Sequence, residues 1–441
     1  MRIALFEDWY VSHLFPLTYT RATFDLMLGG SQLIEKIRGE LGPVDAVFVR
    51  DYLEPKERER WEGLKVNPRE MDDDVLLVNG SLTKFEFEVP ALDHSIFCGK
   101  RLVVAHLRKS SFSALSLRSG LELTDAHMVA KLTESKVIPE CKNLIEYPWQ
   151  IVDKNGEFIR RDYKGPLNEG QLEKGVVVAG PPQMLRVEKG VRVEAGAFID
   201  VRKGPVTLSE GAVVESGSRV TGPSFIGRDV EVLGAFLREN VTLGPVVRVG
   251  GAGEIEESIV HGYSNKYHFG FLGHSYVGEW VNLGAGTTNS DLKDTYGLVK
   301  VKVGGQKVNS GSIKVGCFIG DNAKTSIGTM IYTGKSVGVA AQLHGIIYSD
   351  VPSFTIWAQT LGEDPVEEYL DSVIETQRRM MDRRGVKQTR ADVDLLRKIY
   401  EMTMGERKSL GVRKGKFSFS DRKTRKFTDR RKLKGCREIV F

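Results

Sequence analysis

The sequence predicts an α/β domain, then a parallel β-helix, then two helices ahead of a basic tail. Three observations carry this prediction. Short apolar runs flank an amphipathic stretch within residues 1–165, an aliphatic residue recurs at every sixth position across 175–345, and helical spacing takes over after Trp357.

In the first segment Ile3–Phe6, Val44–Val49 and Val75–Val78 read as buried strands, and Ser31–Arg38 reads as an amphipathic helix. Strands alternating with helices imply a parallel sheet whose ligands bind at the carboxyl ends of its strands. Asn79-Gly80 stands at such an end. The stretch from Phe85 to Ser119 is less regular and reads as further strands and loops.

The second segment, 175–357, is the most informative. Its beat runs through Val187, Val193 and Ile199, then Leu208, Val214, Val220, Ile226 and Val232. It resumes one residue out of phase at Leu237, Leu243, Val249 and Ile255. It returns at Phe271, Val277 and Leu283, then weakly at Ile313, Ile319, Ile331 and Val337. A six-residue period suits neither an α-helix nor an amphipathic strand and is the mark of a hexapeptide β-helix. Each short strand sends one aliphatic side chain into a stacked core, and a glycine permits the corner, as after Ile226 and Leu283. The beat slips around Val260–Phe269 and is absent from Asn289–Gly311. Both interruptions read as loops on the wall, where sites tend to be built.

Residues 362–404 place apolar side chains at helical spacing, including Val366, Leu370, Val373, Leu395, Leu396 and Ile399. The two helices they predict either cap the solenoid or clasp a neighbouring subunit. From Gly405 to Phe441 fourteen Lys/Arg stand against four Asp/Glu, so this 405–441 tail carries +10 of a total of +5 and leaves −5 for the rest. An acidic body argues against nucleic acid as the partner of the main domains, leaving only the tail to touch it. Hydrophobic residues make up 41% of the 441, enough to build cores and exclude wholesale disorder. Four cysteines far apart in sequence, no membrane-length apolar run and no leader-like start predict a reduced, cytoplasmic protein.

The segment Asn265–Lys293, NKYHFGFLGHSYVGEWVNLGAGTTNSDLK, resembles the acetyltransferase half of the bifunctional N-acetylglucosamine-1-phosphate uridylyltransferase/glucosamine-1-phosphate N-acetyltransferase family. His268, Phe271, Leu272-Gly273 and Asn282 through Thr287 follow that family's motif without gaps. The opening FPLTYTRATFDLMLGG, the strand end VNGSL and the stretch ETQRRMMDRR resemble a divergent sugar-nucleotidyltransferase branch of it. The resemblance implies a Rossmann-like nucleotidyltransferase domain at 1–165 and a left-handed coil for the β-helix. It also implies a homotrimer with acetyl-CoA lying between neighbouring solenoids.

Acetyl transfer from a thioester to a sugar amine needs a base near neutral pH, which suits histidine. The resemblance assigns that role to His268, with Asn289 orienting the reacting groups. It gives Arg238 and Lys293 the sugar phosphate, and Phe271 and Asn282 the sugar. Phe271 stands where the family has tyrosine, and Glu256 stands where it has a phosphate-binding lysine. The other histidines of the solenoid, His261, His274 and His344, read as polar surface residues.

Nucleotidyl transfer needs donors around a triphosphate and carboxylates for Mg²⁺. The family's glycine-rich loop is missing after the first strand. Arg21 is the candidate phosphate ligand, with Lys36 behind it. Asn79 occupies the position of a family aspartate, and Asp162 is the candidate metal ligand. Together these expectations describe acetylation of glucosamine-1-phosphate, or a related amino sugar 1-phosphate, followed by uridylylation with UTP and Mg²⁺. Two other readings stay open: a monofunctional transferase with one silent domain, and a trimeric scaffold in which neither site turns over.

Overall fold

A computed structural model describes residues 1–113, 115, 117 and 123–419. The basic tail beyond 419, with Cys436, lies outside the described residues.

The front domain is built from β1 (Arg2–Phe6), α1 (Leu33–Leu41), β2 (Ala46–Phe48), α2 (Glu54–Arg60), β3 (Lys65–Val66) and β4 (Val75–Asn79). It continues through β5 (His94–Cys98), β6 (Arg101–Leu107), β7 (Glu134–Ile138) and α3 (Pro148–Asp162). The sheet order is β3-β2-β1-β4-β6-β5-β7. The first four strands are parallel, as the alternation with helices requires. The sheet is nevertheless mixed, because β5 and β6 are joined by the two-residue turn Gly99-Lys100, too short for a parallel crossover. The buried runs of β1 and β4 reflect packing on both faces of the sheet. One face packs Phe6, Phe48 and Leu77, and the other joins a larger cluster described below. Cys98 and Cys141 are free thiols, each half-buried.

From Leu167 onward the chain coils into a three-faced parallel β-helix. The first face runs from Leu167–Asn168 to Lys335–Val337 and the second from Gln171–Leu172 to Thr355–Trp357. The third runs from Val177–Ala179 to Gly270–Gly273 and continues through Thr288–Asn289 to Ile346–Ile347. The six-residue beat marks the lumen, where residues such as Val214, Ile226, Leu243 and Val249 are fully buried. The phase slip at Leu237 has a simple cause. Register pairs Val220 with Leu237, Ile226 with Leu243 and Val232 with Val249, so these coils hold 17 residues where the full hexapeptide repeat needs 18.

Three expectations about the beat are corrected. Leu272, not Phe271, enters the lumen, since Leu272 pairs with the buried Ile255 while Phe271 pairs with Glu254 on the outside. Ile313 is exposed and outside the core. Val260–Phe269 is not a break: Val260 is inward, and the next inward place is taken by Lys266, which pairs with Val249. A lysine on an aliphatic beat hides the signal while the coil continues.

The stretch Asn289–Gly311 leaves the coil after Ser290, Asn289 itself still pairing with Ile331 on the third face. It forms the antiparallel hairpin Lys300–Val303/Gln306–Asn309. Val299 and Val301 at its base are buried in the cluster that also holds Leu5 and Phe24 of the front domain and Phe318 on the solenoid's outer wall. Front domain and solenoid thus share one apolar core. Helix α3 lies along the first face, over Ser224–Ile226, Val241–Leu243 and Tyr276–Val277.

After Trp357 the strand Val366–Glu367 pairs antiparallel with Thr355–Trp357, and the helices α4 (Leu370–Asp382) and α5 (Arg390–Met402) follow, with a short third helix at Met404–Ser409. Thr389 caps α5 by accepting from the Asp392 amide, which fixes where the helix starts. The pair does not simply close the solenoid. It runs back along the second face until Arg384 reaches Asn265 at 2.6 Å, and α5 meets α2 of the front domain through Lys56–Asp392 at 2.6 Å.

Candidate functional site

A cleft of about 840 Å³ opens where the second face of the solenoid meets the end of α4. Its floor is an outward column of the second face, Arg248, Asn265, Asn282 and Lys324, which register stacks coil upon coil. Tyr263 and Trp280 form one wall, with ring planes 8° apart and centroids at 4.3 Å. Met380, Arg383 and Arg384 form another. His268 stands at the rim, on the exposed corner between the second and third faces, flanked by exposed Tyr267 and Phe269.

His268 and Asn282 are therefore brought together in one cleft. Beneath them lies Lys266, 1% exposed, inside the solenoid. Its Nζ donates to the carbonyl oxygen of His268 at 2.6 Å, tying the corner down from within. Burial pushes this ammonium down to about 8. Lys324 on the floor is likewise lowered to about 8 by burial.

The remaining solenoid residues fall elsewhere. Asn289 points into the lumen, and both ends of its amide are engaged: Oδ1 accepts from the Gly273 amide at 2.9 Å and Nδ2 donates to the Gly273 carbonyl at 3.0 Å. It positions backbone in this structure and is not presented to a substrate. Lys293 donates to the Leu298 carbonyl within its own loop. Arg238 and Phe271 lie on the third face, around the corner from Asn282. Arg238 is held by Glu254 at 2.5 Å and lies 3.7 Å from Glu256, which is also 3.8 Å from Lys314. The carboxylate at the family's lysine position thus has two cationic neighbours. His274 pairs with Asp291 at 2.8 Å. His261 is not a surface residue: it is buried at the domain seam, 3.1 Å from Glu279.

The front-domain candidates are not brought together. Arg21 is fully buried at the seam, ion-paired with Asp321 and 3.3 Å from Glu279, both on the solenoid. The same opening motif supplies Thr20, which donates to Asp321 at 2.7 Å, and Met27, whose amide donates to the Tyr276 hydroxyl at 2.8 Å. FPLTYTRATFDLMLGG acts as a docking segment through Thr20, Arg21 and the Met27 amide, while Thr18 and Thr23 bond within the front domain. Asn79 is buried under the ends of β1 and β4, donating to Asp8 at 2.8 Å and to the Leu102 carbonyl at 2.9 Å.

Asp162 accepts from Lys36 at 2.6 Å and from the Gly30 amide at 2.8 Å through one oxygen. Gly29 beside it has φ +63°, and an added Cβ would lie 2.7 Å from the Phe158 backbone, so glycine is required there. An ammonium already bonded to Asp162 does not fit a divalent-cation site. Among the described residues no group of three His, Cys, Asp or Glu side chains is disposed to hold a metal. What stands at the strand ends instead is the buried pair Asp8–Arg101, 2.8 Å apart, beside the stacked rings of His13, Tyr147 and Trp149.

Lys266 beneath the cleft, and Arg248 and Asn265 on its floor beside the expected Asn282, escaped the sequence reading. Lys266 was detectable as the one charged residue on an inward beat between Val249 and Leu283. Arg248, Asn265 and Asn282 recur at 17-residue spacing, a signal hidden by the polarity common to any outer wall.

Residues 3–168, the front domain, match the family described as sugar nucleotidyl transferase. The chain is 30% identical over 292 residues to a bifunctional sugar-1-phosphate nucleotidylyltransferase/acetyltransferase of Sulfurisphaera tokodaii, covering 64% of this chain and 66% of that one. It is 30% identical over 228 residues to the bifunctional protein GlmU of Methanococcus vannielii, covering 51% and 48%. The chain thus spans between about half and just under two thirds of the length of these curated relatives. Among solved structures, a UDP-N-acetylglucosamine acyltransferase from Campylobacter jejuni is 15% identical, covering 55% of this chain and 82% of that one, with a TM-score of 0.24.

Proposed function

We propose that this chain is a sugar-nucleotide enzyme whose solenoid transfers an acetyl group from acetyl-CoA to the amine of glucosamine-1-phosphate or a related 2-amino sugar 1-phosphate. The observation that carries this reading is the cleft in which His268 and Asn282 converge. His268 takes the ammonium proton, the freed amine attacks the thioester carbonyl, and coenzyme A leaves as the thiol, its sulfur taking the second proton that the nitrogen loses. A base placed this way contributes about 10²- to 10⁴-fold to the rate. Asn282 supplies an amide for the sugar hydroxyls.

Arg238 and Phe271 belong to this reading through a second copy. The third face carries exposed apolar residues in register, Met330 beside Ile346, together with Tyr332 and Tyr348, and Ile327 on the adjoining corner is 80% exposed. A homotrimer burying this stripe would set one chain's third face near a neighbour's His268 corner.

In the full reading, uridylyl transfer from UTP, with Mg²⁺, follows in the front domain and yields UDP-N-acetylglucosamine. The match of residues 3–168 to the sugar nucleotidyl transferase family supports it. The partners found for Arg21, Asn79 and Asp162 favour a second reading, in which the front domain docks on the solenoid and the acetyl transfer stands alone. Absence of a membrane-spanning helix among the described residues is compatible with the cytoplasmic location that both readings use.

One incubation separates them: purified protein with glucosamine-1-phosphate, acetyl-CoA, UTP and Mg²⁺, with products identified by mass. UDP-N-acetylglucosamine establishes both halves, and N-acetylglucosamine-1-phosphate alone establishes the second reading. His268→Ala should lower acetyl transfer by at least about 100-fold without changing assembly. Full activity in that variant, or no acetylated product from the wild type, refutes the solenoid assignment.

A further inference from the structure

The stretch Glu375–Arg384 carries four arginines that sort into two pairs. Arg378 and Arg379 stay on the helix surface and pair with Glu375, and Arg378 pairs also with Asp382. Arg383 and Arg384 lie past the end of α4 and line the cleft. Neither has a carboxylate within 4 Å among the described residues, and the same holds for Lys324 on the floor, whose Nζ donates to the Asn322 carbonyl at 2.8 Å. Arg384 donates to Asn265, and burial together with Arg248 holds its guanidinium below the usual arginine range. Arg248 is the compensated member, 2.7 Å from Glu231. Three cations thus converge on one cavity with no carboxylate in contact, Glu231 and Glu368 acting on them only from further away, and the repulsion of Arg384 by Arg248 and Arg383 is relieved when an anion enters. Arginine suits a phosphate group in particular, because its planar fork donates two parallel hydrogen bonds.

The stacked Tyr263–Trp280 pair is an independent observation in the same cleft. It presents an aromatic surface beside the cations, which suits a heterocyclic base. A cavity of about 840 Å³ is large enough for a nucleotide-sized molecule.

We propose that the cleft between the second solenoid face and α4 binds the diphosphate of a nucleotide-type ligand, with Arg383, Arg384 and Lys324 on the phosphates and the Tyr263–Trp280 pair beside the base. Both walls come from one chain, so the site exists without a neighbouring solenoid. Coenzyme A and a UDP-sugar share this chemistry. The inference deepens the acetyl-transfer reading, because His268 lines the same cleft, but its test is binding and needs no turnover.

The test is titration calorimetry of the full chain with coenzyme A, UDP-N-acetylglucosamine and inorganic pyrophosphate, repeated at raised salt. At least one nucleotide ligand should bind, with affinity falling as salt rises. Loss of each arginine should cost about tenfold, so Arg383→Gln/Arg384→Gln weakens binding by roughly 100-fold. Arg383 is exposed, so Arg383→Gln alone serves if the double variant fails to fold. Trp280→Ala should weaken the nucleotide while leaving pyrophosphate unchanged. Binding of coenzyme A alone identifies the acetyl donor's site, and binding of the UDP-sugar alone identifies a product or donor-sugar site; both outcomes uphold the proposal. Equal binding by wild type and arginine variants, or no binding by any probe, overturns it. Arginine-dependent binding without acetyl transfer would remove the acetyl-transfer reading and leave this site standing.

Discussion

Lys266 offers a quantitative test of the solenoid's interior. Its side chain occupies an inward position whose neighbour in the coil before is Val249, and its Nζ is satisfied by one carbonyl, that of His268. Burial lowers the ammonium from 10.5 to about 8. The unfolded chain holds this proton up to about 10.5 and the native state only up to about 8. The native state is therefore penalised by about 3 kcal/mol below pH 8, and the penalty fades as the pH rises towards 10.5. Lys266→Met fills the same space without charge. At pH 7 the variant gains that amount less about 1.5–3 kcal/mol for the lost hydrogen bond, so its net stability is close to wild type or above it. The pH dependence is the sharper signal. Between pH 7 and pH 10 the wild type should gain about 2.5 kcal/mol on the variant. Urea unfolding at both pH values, followed by the β-sheet circular dichroism of the solenoid, measures it. A difference that stays constant within about 0.5 kcal/mol would show that Nζ is hydrated or paired, and would refute the buried assignment.

Two further perturbations probe the seam and the third face. Asp321→Asn leaves the buried Arg21 with Glu279 as its remaining counter-charge, and should weaken docking of the front domain by about 3 kcal/mol. Thermal unfolding should then split into two transitions, with faster proteolysis near residues 163–166; a single unshifted transition would dismiss the pair as a docking element. Glu256→Gln removes one of the two carboxylates near Arg238. If Arg238 receives the sugar phosphate, KM for glucosamine-1-phosphate should fall severalfold at unchanged kcat, whereas an unchanged KM places the phosphate elsewhere.

The docking segment shows why a family motif can be legible while its role is not. FPLTYTRATFDLMLGG follows the first strand, where nucleotidyltransferases hold phosphates, and Arg21 is a chemically apt ligand. Its partner Asp321 lies 300 residues away, and no local pattern announces it. Asp162 is a similar case, since a carboxylate at the end of a helix looks available until Lys36 is seen to occupy it. His268 stood out because its neighbours form a dense motif, whereas the inward placement of Asn289 left no local mark, because the inward face of a corner strand accepts a polar residue when backbone groups satisfy it.

Chain order alone determined the β-helix. Its lumen is lined by one residue from each short strand, so burial is written as a local period of six that needs no knowledge of distant partners. The α/β character of the front domain was readable for the same reason, as strands and helices bury different local patterns. Tertiary structure decided what covers the outer walls. The first face is taken by the front domain and the second by α4 and α5 returning along it, so that Arg384 meets Asn265 across 119 positions. Outer-wall residues are polar or small whether or not they are covered, and the choice of cover is settled by docking of whole elements. The cleft exists only after that docking.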